Sequence, residues 1–281
     1  MTSTASDVAS RVLTRGPLSA ELVYARTTQQ KPRYYMREPP AGEQRLVGEY
    51  APYGVQIEDG RDTAGEFSLD VHGFALARLP TALSDAYDDA EVRSVYYPEV
   101  EQLVLRASGA SRVLVFDHNA RSGPRARSGQ HGVAEPVRLV HNDYTVESAR
   151  LRVQQLLPAE AAGLLERRHA FINVWRPLFG PVLDTPLAVC DARSIASTDG
   201  LAIDLIYSDR VGQNYHFVPS ERHRWYYFSE MRADEALLLK CMDSPSAGRA
   251  RFTAHTAFDD PRAPRDARPR ESIEARTIAF Y

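Results

Sequence analysis

From residue 171 to residue 280 the chain reads as a succession of short strands, and this run constrains the fold more than any other feature of the sequence. Eight segments qualify: 171–176, 187–190, 201–207, 215–218, 224–228, 236–241, 250–255 and 272–280. Each is dense in aliphatic, aromatic or β-branched residues and is bounded by Gly, Pro, Asp or Ser. Short strands separated by turn signals build a sandwich or a jelly roll. The N-terminal half is mixed. Segments 20–24, 55–57, 67–76 and 112–116 read as strands, whereas 84–110, 148–157 and 158–169 carry helical patterns. The fold class expected is mostly β with α: a jelly-roll core, cupin-like, with N-terminal and inserted helices packed outside.

Composition limits the function classes. A chain of 281 residues with 43% hydrophobic and 25% charged residues can bury a sizeable core. No Pro/Gly linker divides it, so one domain over 1–281 is expected, with 1–12 loosely held and 122–132 a mobile loop. The formal charge of −3 argues against a nucleic-acid partner. Apolar runs such as 236–239 are far too short to span a bilayer, and residues 2–10 are small and polar rather than a charged-then-apolar leader. Cys190 and Cys241 have neither metal spacing nor disulfide density. A reducing, cytoplasmic setting is expected, and no membrane partner. Oligomeric state is not legible.

The chemistry begins at His141-Asn-Asp143, which closes a short apolar strand. Side chains two apart share a strand face, so the imidazole and the carboxylate can converge on one ion. One further His completes the two-His-one-carboxylate face that suits Fe(II) and leaves coordination positions open. His255, in Phe252-Thr-Ala-His255, fits best, although a lone His of this kind is more often a hydrogen-bonded core residue. Fifteen positions later, Arg270 and Ser272 share one face of the last strand, where a guanidinium fork and a hydroxyl can grip one carboxylate. Taken by itself Arg270 reads first as a salt bridge at a strand edge, and Arg276 on the same face is a rival anchor. Asn173 and Trp175 point one way from their strand and Arg176 the other. Either face can line a pocket or belong to the core. Tyr144 and Thr145, next to the ligands, are candidates for supporting contacts. Asp117-His118 with Arg121 can form a structural network or a site. The basic stretch from Arg121 to Arg127 reads as a solvated loop or as a lid.

Taken together, Asp59-Gly-Arg61, Ser68-Leu-Asp70-Val-His-Gly73-Phe74, Tyr97-Pro98-Glu99-Val100, Val113-Leu-Val-Phe-Asp117-His118-Asn-Ala-Arg121, His141-Asn-Asp143-Tyr-Thr145, Asn173-Val-Trp175-Arg176-Pro177, His255-Thr-Ala-Phe258 and Arg270-Glu-Ser-Ile-Glu-Ala-Arg276 resemble a known family. It is the non-haem iron, 2-oxoglutarate-dependent oxygenases of the fungal hydroxylase/desaturase type (AsaB-like, gibberellin desaturase-like). The sequence is also similar to the bacterial cephalosporin 7α-hydroxylase component. The resemblance implies a double-stranded β-helix with Fe(II) on His141, Asp143 and His255. It places 2-oxoglutarate on Arg270 and Ser272, with Arg276 and Asn173 further cofactor candidates, and O2 as oxidant. Tyr144, Thr145, Trp175 and Arg176 become candidates near the substrate, which would be a small-molecule or peptide natural product. Two rivals remain: a non-catalytic jelly-roll binding protein, and a cupin-type metalloenzyme that uses no 2-oxo acid.

Overall fold

The computed structural model of the protein describes residues 17–245 and 247–281; the expectation for 1–12 lies outside them. Two sheets form the molecule. The larger runs in the order β1 (Leu18–Ala25), β4 (Tyr50–Asp59), β13 (Trp225–Tyr227), β10 (Leu187–Cys190), β15 (His255–Ala257), β8 (His141–Asn142), β12 (Val211–Phe217), β11 (Gly200–Ile206), β2 (Arg33–Tyr35) and β3 (Leu46–Val47). The smaller runs β5 (Phe74–Arg78), β14 (Glu235–Asp243), β9 (His169–Pro177), β16 (Glu271–Phe280), β6 (Arg112–Ser122) and β7 (Val133–Ala134). Neighbours are mostly far apart in sequence, as in a jelly roll, and the fold is mostly β with helices outside.

Alternation along β9, β14 and β16 explains the layering. Ala170, Ile172 and Val174 face outward with Leu238, Ile273 and Ala275, and there they pack on Val92, Tyr96, Val100 and Val104. Those four residues come from a helical rod built of Asp89–Glu91, a π turn Val92–Tyr96 and Tyr97–Ser108. Asp88 caps its start by accepting from the backbone N–H groups of Ala90 and Glu91, and Gly109 ends it at φ 69°. The sequence pattern over 84–110 therefore holds from residue 89 onward. Pro98 follows the π turn directly, at the start of the last segment.

The opposite, inner faces meet the larger sheet through Phe171, Trp175, Leu237, Leu239, Ile278 and Phe280, packed against Leu187 and Val189. A third cluster, with Leu22, Tyr24, Phe217 and Trp225, lies on the far side of the larger sheet. At about 25 cal/mol per Å2 each fully buried Phe or Leu contributes roughly 2 kcal/mol.

Several segments depart from the sequence expectation. Segment 67–76 forms a strand only from Phe74, because 67–73 is spent on a turn closed at Gly73, φ 82°. β6 continues past Phe116 to Ser122, so Asp117 to Arg121 are strand residues. Residues 122–132 hold a one-turn helix, Gly123–Arg127, capped by Ser122, rather than being loop throughout. The helical pattern of 158–169 shrinks to Ala161–Leu165. Segment 250–255 becomes a strand only at His255, because Thr253 spends its N–H on the Lys240 carbonyl (2.8 Å).

Candidate active site

The three central strands of the smaller sheet build a polar floor by register alone. Directly paired residues share a face. Asp117, Arg276 and Asn173 form one cross-strand row, Asn119, Glu274 and Trp175 the next, and Arg121, Ser272 and Pro177 the third. A β-bulge at Phe116 lies between Arg276 and Thr277, and beyond it the inner face turns apolar with Ile278 and Phe280. β16 thus carries Ser272, Glu274 and Arg276 on its polar half, with Arg270 just before its first residue; Ser272 is fully buried and Arg270 2% exposed.

A second row faces this floor from the larger sheet. His141 on β8 is paired directly with His255 on β15 and with His216 on β12. The His141 and His255 rings lie 4.3 Å apart between centroids, and His141 Nε2 is 3.5 Å from Asp143 Oδ1. One donor atom from each of His141, Asp143 and His255 lies within 4.8 Å of the others. Asn142, the residue between the first two, is fully buried and donates to the carbonyls of Tyr144 (2.7 Å) and Cys241 (2.9 Å). It pins the turn that brings Asp143 inward.

The protonation states suit a cation. The Leu139 carbonyl accepts from His141 Nδ1 at 2.7 Å, which leaves the Nε2 lone pair free on the side of Asp143. Burial pushes His141 and His255 down to about 4, with His255 adding to the effect on His141, so both are neutral donors at pH 7. Burial alone would raise Asp143, but Arg276, the two histidines and Asn173 more than offset it and hold the carboxyl well below the usual range. Arg276 Nε (3.0 Å) and Asn173 Nδ2 (2.8 Å) both donate to Oδ2, leaving Oδ1 for an ion. Neutral imidazoles, an ionised carboxylate and a fixed tautomer fit Fe(II), and His255 Nδ1 is buried with no protein partner.

Two further buried polar groups without a partner lie along the floor. Arg270 donates through Nη1 to the Thr185 carbonyl (2.9 Å) and stacks over Trp175 at 5.3 Å, yet its Nε is buried and unpartnered. The Ser272 hydroxyl is likewise buried and unpartnered. Burial, reinforced by Arg121, pushes the Arg270 guanidinium down to about 9. An unpaired buried charge costs several kcal/mol, and an incoming carboxylate would offset this. The chemistry of these donors fits one end of a dicarboxylate.

The remaining candidates separate cleanly. Tyr144 stacks on Phe171 at 4.5 Å beside Asp143. Trp175 lines the floor beneath Arg270. The Thr145 hydroxyl accepts from Ser148 N (3.0 Å) and caps the helix Val146–Leu156, a supporting contact just past Asp143. Arg176 departs from its expected place near the substrate. It projects from the outer face of β9, lies over Tyr96, and donates to the Ala233 carbonyl, because strand alternation turns it away from Asn173 and Trp175.

Two residues were missed. Glu274 is 7% exposed on the floor, and its Oε1 lies 3.6 Å from Arg276. Burial and the neighbouring Asp143 push its pKa up. Its signal was present, since it alternates with Ser272 and Arg276. His216, hydrogen-bonded through Nδ1 to the Tyr50 hydroxyl (2.9 Å), had none, because only strand pairing brings it beside His141.

A jelly roll with a buried His/Asp/His cluster and an unpaired internal arginine defines a class, the metal-dependent oxygenases of this architecture. The comparisons narrow it. Residues 22–280 match a family described as "Oxidoreductase/YMDC permease-like domain". The chain is 36% identical over 256 residues to the hydroxylase/desaturase efuI of Hormonema carpetanum, covering 83% of this chain and 85% of the relative. It is 34% identical to the Fe(II)/2-oxoglutarate-dependent dioxygenase nvfI of Aspergillus novofumigatus, covering 88% and 90%. The solved structure of the iron and alpha-ketoglutarate-dependent endoperoxidase NvfI superimposes with a TM-score of 0.84 at 32% identity, covering 94% of this chain and 98% of that one. The chain belongs to the Fe(II)/2-oxoglutarate-dependent hydroxylase/desaturase family. It is an oxygenase that uses Fe(II), 2-oxoglutarate and O2, in agreement with the fungal part of the resemblance.

Proposed function

We propose that His141, Asp143 and His255 hold the iron, and that Arg270 and Ser272 bind the distal carboxylate of 2-oxoglutarate. The observation that carries this reading is the pair of orphaned polar groups, Arg270 Nε and Ser272 Oγ, on the same strand face as the residue that holds Asp143. Between the two arginines left open by the sequence, Arg270 is the anchor. Arg276 is already engaged, with Nε on Asp143 and Nη1 on Asp117 (3.1 Å), and burial is outweighed by Asp143 and Glu274, which keep it firmly charged.

When bound, iron with 2-oxoglutarate and O2 supplies the oxidising power to hydroxylate or desaturate an unactivated C–H bond, releasing succinate and CO2. This chain's residues position the partners and keep the site dry. Arg276 and Asn173 orient the Asp143 carboxylate, and the Leu139 carbonyl fixes the His141 tautomer. Trp175 and Phe171 wall the floor against water. The names of the relatives support a small specialised metabolite as substrate, and two buried free cysteines support a reducing, cytoplasmic setting. No helix among the described residues is long and apolar enough to cross a membrane.

Anaerobic titration of the Fe(II)-loaded protein with 2-oxoglutarate should produce a weak visible charge-transfer band. His141→Ala should abolish it. No band in the parent protein, or an unchanged one in the variant, would sink the assignment. Succinate formed in step with product separates this reading from the binding-protein and cupin-type rivals.

A further inference from the structure

Five arginines gather at the surface on segments that take no part in the inner floor, and the proposed function leaves them without work. Arg193, Arg222 and Arg224 line an open hollow of about 310 Å3 whose lining holds no carboxylate. A second hollow of about 330 Å3 adjoins it, since Arg193 lines both, and there Arg249 and Arg251 stand beside Asp70. The five come from three separate stretches of chain, so only the fold assembles them. The chain as a whole carries a formal charge of −3, and this patch has the opposite sign.

The acids lie beneath the guanidiniums rather than among them. Asp191 is fully buried and accepts from Arg193 through Nε (3.0 Å) and Nη2 (2.7 Å), and from Arg224 through Nη2 (3.0 Å). One carboxylate therefore orients two arginines, and both side chains stay about half exposed. Asp199, also buried, is shared between His223 (3.2 Å) and Arg222 (3.7 Å). Asp70 is already answered three times over, by Arg249, Arg168 and Lys240. Arg251 forms no ion pair among the described residues, and its Nε is buried without a partner. A guanidinium held along one edge keeps its remaining N–H groups for something else.

We propose that the two hollows form a binding site for a phosphorylated small molecule, with one phosphoryl group seated among Arg193, Arg222 and Arg224. A second phosphoryl group, as in a diphosphate, reaches Arg249 and Arg251 across Arg193. Phosphate is the fitting anion because guanidinium forks match its geometry, and three of them around one small hollow suit a compact tetrahedral charge. The site is independent of the iron and 2-oxoglutarate reading.

The test is calorimetry on the full chain with sodium pyrophosphate and with sodium phosphate. Pyrophosphate should bind once per chain and more tightly than phosphate. Arg222→Glu should weaken both by about tenfold or more, the usual worth of a charge-assisted hydrogen bond. Arg251→Ala should weaken pyrophosphate several-fold and leave phosphate unchanged. Arg193→Lys keeps a cation on Asp191 but loses the fork, and it should lower both affinities several-fold. Arg78→Ala, at an exposed arginine paired with Asp234 elsewhere on the surface, should bind like the parent. Absence of saturable binding overturns the proposal, as does parent-like binding by both Arg222→Glu and Arg193→Lys. An equal loss in Arg78→Ala shows unspecific attraction and overturns it too. Loss of binding in Arg270→Leu places the anion on the inner floor instead. Sedimentation with vesicles of phosphatidylcholine and phosphatidylserine, without pyrophosphate binding, assigns the patch to a lipid surface and not to a small molecule.

Discussion

Arg270 and Arg276 share one face of one strand end, and the contrast between them separates architecture from ligand binding. Both are buried. Arg276 is saturated by the protein: Asp143 and Asp117 take its hydrogen bonds, and Glu274 stands at 3.6 Å. Arg270 has a carbonyl, an aromatic face and an empty Nε. The first arginine is part of the fold and lends its charge to Asp143. The second, on the proposed reading, is left for an arriving anion. Residue type is the same, so the difference comes from position: Arg276 is paired on both sides within β16, opposite Asp117 and Asn173, whereas Arg270 precedes the strand.

Stability should break the comparison most sharply. Arg276→Gln leaves Asp143 and Asp117 uncompensated and should destabilise the metal-free protein by about 3–5 kcal/mol, read as a lower midpoint in urea. Arg270→Leu should do the reverse in part. The variant should melt no lower than the parent, because an unpaired charge is removed, while its affinity for 2-oxoglutarate falls about a hundredfold. A lower melting point with unchanged affinity would show that Arg270 is structural after all.

Acid is a gentler probe of the ligand end. His141 and His255 sit at about 4 and His216 at about 3, all depressed chiefly by burial from the ordinary 6.5. Between those values the unfolded chain binds more protons than the folded one, so stability falls as pH drops from about 6.5 toward 4. Stability of the metal-free protein should drop by about 1.4 kcal/mol per pH unit for each of the three histidines in that window and be flat above pH 7. A melting point that rises on acidification would contradict neutral histidines. The smallest effect belongs to Asn173→Ala, which removes one of the two donors on Asp143 Oδ2 and should weaken Fe(II) binding about tenfold.

Much of this was written locally. Ser272, Glu274 and Arg276 share a face through strand alternation alone, whereas Asp143 lies just past β8 and reaches His141 through the turn that Asn142 pins. The same alternation already set Arg176 opposite Asn173 and Trp175, and the structure anchors it under the helical rod. What the sequence could not show was pairing. The meeting of β8, β12 and β15, which lines up His216, His141 and His255, joins segments up to 114 residues apart, and no local pattern records it. Boundaries failed for a related reason. Residues 250–254 are apolar enough for a strand, but their N–H groups are drawn to carbonyls outside the ladder, such as Lys240 for Thr253.

The two histidines also differ in a way that bears on how the protein is loaded. His141 has its proton parked on the Leu139 carbonyl, so with Asp143 it forms a pair already set to receive an ion. The buried Nδ1 of His255 has no partner, and nothing in the protein selects its tautomer. Capture is therefore asymmetric. On the proposed reading the β8 side is set before an ion arrives, whereas the tautomer on the β15 side is chosen by the ion itself.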